Sequence, residues 1–375
     1  MRGLGFQVSA LRYAKKLLEK NRGKRFSDAY ESLKTVSYGA TCTVELVRCK
    51  TTSATLAAKI MPKAMPLCNG KFKSAFRSRA LHEIAAMRLV ESHHNAPRLV
   101  DALEDERNIY LVMDYYSGGE LFEHIINQGK RGFTEQRAAI IMKEIMTFLA
   151  YCHSLGLVHA DLKPENIVLE SAGGRLKILD FGMSVFCRPN ESMRNVFGTI
   201  NYCSPEMANK WCGQKTDVWS AGVLLYFMLS GRPPFPYKNK EAVLCRLRRH
   251  PTVTFNQSVW DGVSEEAKKF IKDLLAPCVE SRPTAAEALK HVWLSDMSFS
   301  SLSTFELDDL TIDQLRTYSR LSMMKRILWE HIARSVPEDQ IAKQRSQFRN
   351  LDLDNNGTVD LDELKTAFGK VRSEI

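Results

Sequence analysis

The pattern of hydrophobic and polar positions divides the chain into two main regions. Between about residues 30 and 113, short runs rich in alternating and β-branched residues predict strands at 30–37, 43–48, 55–61, 98–103 and 108–113, with one helix at 76–92. From about residue 119 to 295 the helical period dominates, as at 134–155, 217–230 and 264–275. The pattern predicts an α+β fold with a small β-rich lobe followed by a larger helical lobe.

Residues 1–29 form a basic extension with a short apolar face. Leu11, Ala14 and Leu18 recur there at helical spacing, with lysines and arginines between them. Two interpretations stay open: a solvated basic arm, which the shortness of the apolar face favours, and an amphipathic helix that touches a membrane surface peripherally. A targeting peptide is a weaker third option, because no acidic residue precedes Glu19.

Composition narrows the class of protein without choosing a function. The chain has 375 residues, 44% hydrophobic and 26% charged, and no run approaches the roughly 20 apolar residues of a membrane helix. Its nine cysteines have no metal-binding spacing and are expected to be reduced thiols. A cytoplasmic location is therefore expected, with the nucleus as a second compartment. The net charge of +10 suits acidic partners in general, and no nucleic-acid partner is expected.

Two polar motifs in the predicted large lobe suggest the chemistry. Residues 159–166 read His-Ala-Asp-Leu-Lys-Pro-Glu-Asn, and residues 180–182 read Asp-Phe-Gly. This spacing offers a catalytic carboxylate and two metal-binding side chains, which suits phosphoryl transfer from ATP. With Leu-Ala-Ala-Lys at 56–59 and Ser-Pro-Glu at 204–206, the motifs follow the order known from protein kinases. The chain therefore resembles the protein kinase family over residues 30–294.

The resemblance implies a role for individual residues. Lys59 would hold the α- and β-phosphates of ATP, with Glu83 as its ion-pair partner. Asp161 would accept or orient the substrate hydroxyl, and Lys163 would neutralise the transferred phosphoryl group. A lysine at position 163 is similar to serine/threonine kinases rather than tyrosine kinases. The other residues expected at the ATP site are Val36, Ser37, Gly39, Val44, Ala57, Met113, Asp114, Tyr116, Glu120 and Leu169, with Asn166 and Asp180 also binding Mg²⁺.

The loop expected to cover the phosphates departs from the family pattern. Where kinases have G-x-G-x-x-G-x-V, residues 37–44 read Ser-Tyr-Gly-Ala-Thr-Cys-Thr-Val and keep only the middle glycine, Gly39. Side chains at Ser37 and Cys42 restrict the backbone where its amides must approach phosphate, which predicts weakened ATP affinity. A pseudokinase scaffold that senses calcium and binds partners without catalysis is the alternative that this loop supports.

Ala160 stands where the family signature usually has an arginine. That arginine faces a phosphorylated residue of the activation segment, and the new charge pair orders the segment. Without the guanidinium this switch is missing. We therefore expect that activity does not require phosphorylation of Ser184, Ser192 or Thr199.

Glu120 and Glu165 resemble the acidic positions that receive basic residues of the substrate in related kinases. A carboxylate facing a guanidinium gives selective recognition. The expected partners are therefore protein substrates with a serine or threonine near basic residues. The alternative role of Glu120 is a hydrogen bond to the ribose of the nucleotide.

Residues 352–363 fit a twelve-residue EF-hand loop, which predicts Ca²⁺ binding. The expected ligands are Asp352, Asp354, Asn356, the carbonyl of Thr358, a water held by Asp360, and Glu363. An acidic turn without metal is the alternative. EF-hands normally pair, so this single hand would bind weakly, pair with another copy or another protein, or belong to a truncated chain.

A kinase domain followed by a basic helix and an EF-hand resembles the calcium-dependent protein kinases of plants and protists, which usually carry four EF-hands. In that family the junction after the kinase domain is autoinhibitory. Here a stripe of Leu321, Met324, Leu328 and Ile332 suits either that role or a plain packing helix. The implied division is a basic extension at 1–29, a kinase domain at 30–294 (small lobe 30–113, large lobe 117–294), a linker with the helix at 295–335 and the EF-hand at 336–375. An active kinase whose EF-hand is not regulatory also remains open.

Overall fold

The fold is given by a computed structural model that describes residues 2–295, except 40–41, 64, 67–71, 74–75, 130–131, 172, 189–190, 195–197, 237–238, 250 and 257. The predicted linker, basic helix and EF-hand lie outside these residues. The small lobe contains α1 (Arg2–Lys20), α2 (Phe26–Ala29), β1 (Tyr30–Tyr38), β2 (Thr43–Cys49), β3 (Thr55–Pro62), β4 (Met65–Pro66), β5 (Phe72–Lys73), α3 (Phe76–Val90), β6 (Leu99–Glu104) and β7 (Asn108–Asp114). The large lobe contains α4 (Leu121–Asn127), α5 (Glu135–Ser154), β8 (Leu157–Val158), β9 (Ile167–Leu169), β10 (Leu176–Ile178), β11 (Val185–Phe186), β12 (Met193–Arg194), α6 (Pro205–Ala208), β13 (Trp211–Cys212), α7 (Gln214–Ser230), α8 (Lys240–Arg248), α9 (Glu265–Leu274), α10 (Ala285–Ala288) and α11 (Val292–Ser295).

Five antiparallel strands form the small-lobe sheet in the order β1-β2-β3-β7-β6. The β-branched and alternating runs of the sequence supply these strands, and each lies within two residues of its predicted bounds. The register sets Lys59 on the central strand β3, opposite Val44 of β2 and Leu111 of β7. The predicted α+β fold with a β-rich small lobe and a helical large lobe is confirmed.

Helices α5 and α7 pack together at the centre of the large lobe. Helix α7 is buried along nearly its whole length, which explains why its sequence is hydrophobic on all sides. Its one buried carboxylate is Asp217. The Asp217 side chain is fully buried and points to residues 159–166, which we call the catalytic loop. Nearby, Glu206 accepts hydrogen bonds of 2.7 and 3.0 Å from the buried Arg282 guanidinium.

The N-terminal helix α1 packs against α3 and β6 of the small lobe. Ala10, Ala14 and Leu18 form its buried face. The interpretation of this segment as a solvated arm is therefore wrong, because two of the three residues in the predicted apolar stripe are covered by protein and Leu11 is half-buried. Among the helices described, none combines the length and apolar character needed to cross a membrane.

Candidate active site

Lys59, Glu83 and Asp180 form an ionic network between β3, α3 and the segment after β10. Lys59 Nζ lies 2.6 Å from Glu83 Oε1 and 2.7 Å from Asp180 Oδ1. Burial disfavours the ammonium group, but the two carboxylates outweigh burial and raise the pKa of Lys59. Burial also opposes ionisation of Asp180, yet Lys59 lowers the pKa of Asp180 to about 2. The ammonium is thus charged and fixed, as a phosphate-binding lysine must be.

Asp161 is surrounded by hydrogen-bond donors from the catalytic loop and from the activation segment, residues 180–206. Its Oδ1 accepts from the backbone N–H and the hydroxyl of Thr199, both at 2.7 Å. Its Oδ2 lies 3.3 Å from Lys163 Nζ and 3.3 Å from Asn166 Nδ2. Lys163 also donates to the Thr199 hydroxyl at 3.0 Å. Four contacts therefore hold a carboxylate that is 9% exposed and can still meet a substrate.

The buried carboxylate of Asp217 holds the backbone of the catalytic loop. It accepts from the N–H of His159 at 2.9 Å, from the N–H of Ala160 at 2.8 Å and from the imidazole of His153 at 2.9 Å. Ala160 has φ +62°, a left-handed conformation that an L-residue adopts at a cost of about 1–2 kcal/mol. The loop keeps this shape because α7 supplies an acceptor at the right place.

The adenine side of the cleft is built by β3, β7 and β9. Ala57 on β3 lies opposite Met113 on β7. The chain then runs through residues 114–116, the segment that the kinase resemblance implies as the adenine-binding hinge, to Gly119, whose carbonyl accepts from the N–H of Leu169 at 3.0 Å. This bond brings the buried side chain of Leu169 beneath the hinge, where a planar base needs an apolar floor.

The hinge itself is fixed by contacts with Arg98. The Arg98 guanidinium forms two hydrogen bonds with the Asp114 carboxylate, at 2.7 and 2.6 Å. The Tyr116 hydroxyl accepts from the backbone N–H of Arg98 at 3.1 Å. The side chains of Asp114 and Tyr116 therefore hold the hinge through Arg98. Any contact of these two residues with adenine would come from their backbone groups.

The phosphate-covering turn between β1 and β2 is largely exposed. Val36 and Ser37 lie on the exposed part of β1, and residues 40–41 are outside the described chain. The Gly39 N–H donates to the Cys42 carbonyl at 2.8 Å and closes the turn. Cys42 is half-buried, and burial raises the pKa of its thiol above the usual range, with Lys59 close enough to oppose this shift. A neutral thiol therefore lies near the lysine that should bind phosphate.

Three carboxylates lie together at the start of α4. Burial raises the pKa of Glu120, and the charges of Glu123 and Glu165 raise it further, while Lys163 opposes them. One carboxylate oxygen of Glu165 is buried and receives no hydrogen bond from the described residues. The cluster is therefore an acidic surface that a cationic group would stabilise.

Asn166 and Asp180 have the geometry expected of Mg²⁺ ligands. Asn166 donates from its amide nitrogen to the Asp161 carbonyl at 2.8 Å, which leaves its amide oxygen for a metal. Asp180 uses Oδ1 for Lys59 and for the Gly182 N–H, so Oδ2 remains for the metal. A Cβ on Gly182 would approach Asp180 Oδ1 to 3.0 Å and Glu83 Oε2 to 3.3 Å, which explains the glycine. These residues fit Mg²⁺ and ATP.

Some features of the site were not visible in the motifs. The position of Thr199 between Asp161 and Lys163 depends on how the activation segment folds back. The only signal in the sequence is the pair Gly198-Thr199, which resembles the end of a kinase activation segment. Glu123 joins the acidic cluster because it lies one helical turn after Glu120. The predicted calcium ligands Asp352, Asp354, Asn356, Thr358 and Glu363 lie outside the described residues.

Comparison with known proteins agrees with this geometry. A family model described as the protein kinase domain matches residues 30–294. Calcium-dependent protein kinase 12 of Arabidopsis thaliana is 35% identical over 94% of this chain and 70% of its own length. Calcium-dependent protein kinase SK5 of Glycine max is 36% identical over 85% of this chain and 61% of its own length. Calcium-dependent protein kinase 24 of Oryza sativa subsp. japonica is 34% identical over 93% of this chain and 66% of its own length.

Proposed function

Because the chain belongs to the protein kinase family and, within it, to the calcium-dependent protein kinases, we propose that it transfers the γ-phosphate of ATP to serine or threonine residues of proteins. The observation that carries this proposal is the joint presence of the Lys59–Glu83–Asp180 network and the ordered Asp161 carboxylate. The pseudokinase alternative is not favoured, since the lysine, both predicted Mg²⁺ ligands and the catalytic carboxylate are all in place.

The proposal gives each group a task that its contacts support. Asp161 Oδ1 is taken up by Thr199, so Oδ2 is the atom that accepts or orients the substrate hydroxyl. Lys163 lies 3.3 Å from that oxygen and offsets the negative charge that develops as the phosphoryl group moves. Bound ATP and Mg²⁺ supply the phosphoryl group and additional charge neutralisation, and Lys59, Asn166 and Asp180 would hold them.

The acidic cluster of Glu120, Glu123 and Glu165 supports a preference for basic residues near the target serine or threonine. A guanidinium would donate to the unpaired Glu165 oxygen and remove the repulsion felt by Glu120. A ribose hydroxyl that hydrogen-bonds to Glu120 carries no charge, so it would not remove this repulsion, and it would leave the Glu165 oxygen unpaired. The structure therefore favours substrate recognition over the ribose alternative.

Regulation by Ca²⁺ is the part of the proposal that rests on residues 352–363 and on the family. The loop has the EF-hand residue types at every ligand position. This hand would pair with an EF-hand of another copy or of another protein to bury its helices. Peripheral contact with an anionic membrane is supported only by the exposed basic side of α1, at Arg12, Lys15 and Lys16.

Transfer of labelled phosphate to an arginine-containing serine peptide tests the catalytic proposal. Asp161→Asn should lower kcat by about 10²- to 10⁴-fold, the usual contribution of a positioned acid–base group. Asp261→Asn makes the same chemical change at an exposed position and should retain full activity. Equal transfer by the unmodified protein and Asp161→Asn would contradict the assignment. Glu165→Gln should raise the KM of the arginine peptide and leave that of a neutral peptide unchanged.

A titration of activity with Ca²⁺ and with chelator tests the regulatory proposal. The unmodified full chain should change its activity with Ca²⁺, and the double variant Asp352→Ala, Glu363→Gln should not, because it loses two of the expected ligands. Asp308→Ala, Glu306→Gln removes two acidic groups outside the loop and should keep the response. A flat response in the unmodified chain would favour an active kinase whose EF-hand is not regulatory.

A further inference from the structure

Helix α3 lies between the N-terminal helix and the ionic network of the active site. One side of α3 packs against α1, whose Ala14 is fully buried and whose Leu18 is 2% exposed. Glu83 on α3 is 2% exposed and reaches Lys59 at 2.6 Å. Anything that shifts α3 away from the sheet therefore lengthens the Lys59–Glu83 contact directly.

Polar contacts fix α1 in this position near its middle and just after its end. The Arg88 guanidinium of α3 lies 4.7 Å from the centre of the Tyr13 ring. Just after the helix, buried Asn21 donates to Asp101 Oδ1 at 2.7 Å and to the Ala102 carbonyl at 2.9 Å. The hydrogen bonds of Asn21 join the end of α1 to β6, so α1 is tied both to α3 and to the sheet that carries Lys59.

On its other side α3 contacts the segment that follows Asp180. Arg79 donates to the Gly182 carbonyl at 3.0 Å, and the His82 imidazole lies 3.1 Å from the Ser184 hydroxyl. These contacts are polar and partly exposed, and they lie on a segment that must admit ATP and substrate. The buried apolar contact with α1 supports α3 in addition to its packing against β3, β6 and β7.

We propose that Ala14, Leu18 and Asn21 are positioning residues for phosphoryl transfer, because α1 holds α3 where Glu83 can pair with Lys59. The inference rests on the proposed kinase activity and adds residues outside the matched kinase domain to its machinery. The small side chain of Ala14 lets the two helices approach closely, and a larger charged group there forces them apart. The separated α3 leaves Lys59 with only Asp180 as its partner.

The test uses the full chain with Ala14→Glu and its matched control Ser9→Glu. Both variants add one negative charge to α1, but Ser9 is exposed and Ala14 is buried. Ala14→Glu should lower kcat/KM for ATP by about tenfold, within the range seen for residues that act through a network. Ser9→Glu should retain the original value. Equal activity of the two variants would overturn the proposal.

A double-mutant cycle with Glu83→Gln separates positioning from general destabilisation. If α1 acts through Glu83, Ala14→Glu has little further effect once Glu83 is replaced, whereas independent effects multiply. Multiplied effects would overturn the proposal. Should Ala14→Glu fail to fold, Asn21→Leu removes both hydrogen bonds with little change in volume and enters the same cycle.

A binding measurement distinguishes failure of this inference from failure of the proposed function. If the unmodified chain transfers no phosphate, the proposed function fails. Calorimetric titration with Mg-ATP then still tests α1, because the Lys59–Glu83 pair is needed for binding as well. Weaker Mg-ATP binding by Ala14→Glu than by Ser9→Glu supports the positioning role, and equal binding overturns it.

Discussion

The catalytic loop and the phosphate-covering turn serve the same reaction but are built in opposite ways. The catalytic loop is held by side chains: Asp217 fixes its backbone and Thr199 fixes the reactive carboxylate. The described residues of the covering turn are closed by a backbone hydrogen bond from Gly39 to Cys42, and the Tyr38 side chain is 80% exposed. The catalytic loop follows the family pattern except at Ala160, whereas the covering turn keeps only the middle glycine of its pattern.

This difference indicates which of the two loops loses its function more readily when a residue is substituted. A loop made of side-chain contacts loses its function when one residue type changes, because each group has one specific partner. A covering turn works through backbone amides and tolerates new side chains as long as the backbone can still approach phosphate. We therefore expect this kinase to keep its rate of chemistry and to bind ATP less tightly than a glycine-rich relative.

Among the residues that support the reactive groups of the two loops, the largest effect is expected at Thr199, which holds the carboxylate of the catalytic loop. Thr199→Val keeps the shape and the backbone N–H but removes the hydroxyl that bonds to Asp161 and Lys163. Because hydrogen bonds to charged groups contribute about 1.5–3 kcal/mol, kcat should fall by about 10- to 100-fold. Steady-state phosphate transfer at saturating ATP and peptide measures this change. Thr199→Ser restores the hydroxyl and should recover most of the rate; a valine variant as active as the serine variant would contradict this assignment.

Most of the fold and the central residues of the site could be predicted because the signals are local. Strand and helix bounds follow from side-chain period, and the pairing of Lys59 with Glu83 follows from the resemblance of the motifs to those of protein kinases. The bridge from Thr199 to Asp161 could not be predicted, because 38 positions separate them and the path between them is irregular. The packing of α1 was also missed. Its apolar stripe is short, and only the presence of α3 and β6 makes burial of Ala14 and Leu18 favourable.

A smaller effect is expected at Cys42, in the phosphate-covering turn. Cys42→Gly removes a half-buried side chain near Lys59 and restores backbone freedom where phosphate must approach. The KM for ATP should fall by about 2- to 5-fold, corresponding to about 0.5–1 kcal/mol, while kcat stays the same. Initial rates over a range of ATP concentrations give both constants.

The control for this prediction is Cys245→Ser, which removes an exposed thiol in α8, outside the nucleotide site. It should leave both constants unchanged. An unchanged KM in Cys42→Gly would mean that this side chain does not weaken ATP binding, and a higher KM would mean that it helps to bind ATP. Either result would remove the contrast between the two loops.

The smallest effect is expected at Ser192 of the activation segment. The catalytic loop has Ala160 where related kinases have the arginine that pairs with a phosphate on this segment. A phosphate on Ser192 would find no guanidinium at position 160, because the methyl group there is 3% exposed and its backbone is held by Asp217. The nearby basic residues are already engaged, Arg188 with Glu191 at 3.8 Å and Arg194 over the Trp211 ring at 4.3 Å. Ser192→Ala and Ser192→Glu should therefore change kcat by less than about twofold, as usual for an exposed position. Kinetics of both variants and of phosphatase-treated protein provide the measurement. A loss above tenfold in Ser192→Ala would show that the segment has a phosphate switch that does not use position 160.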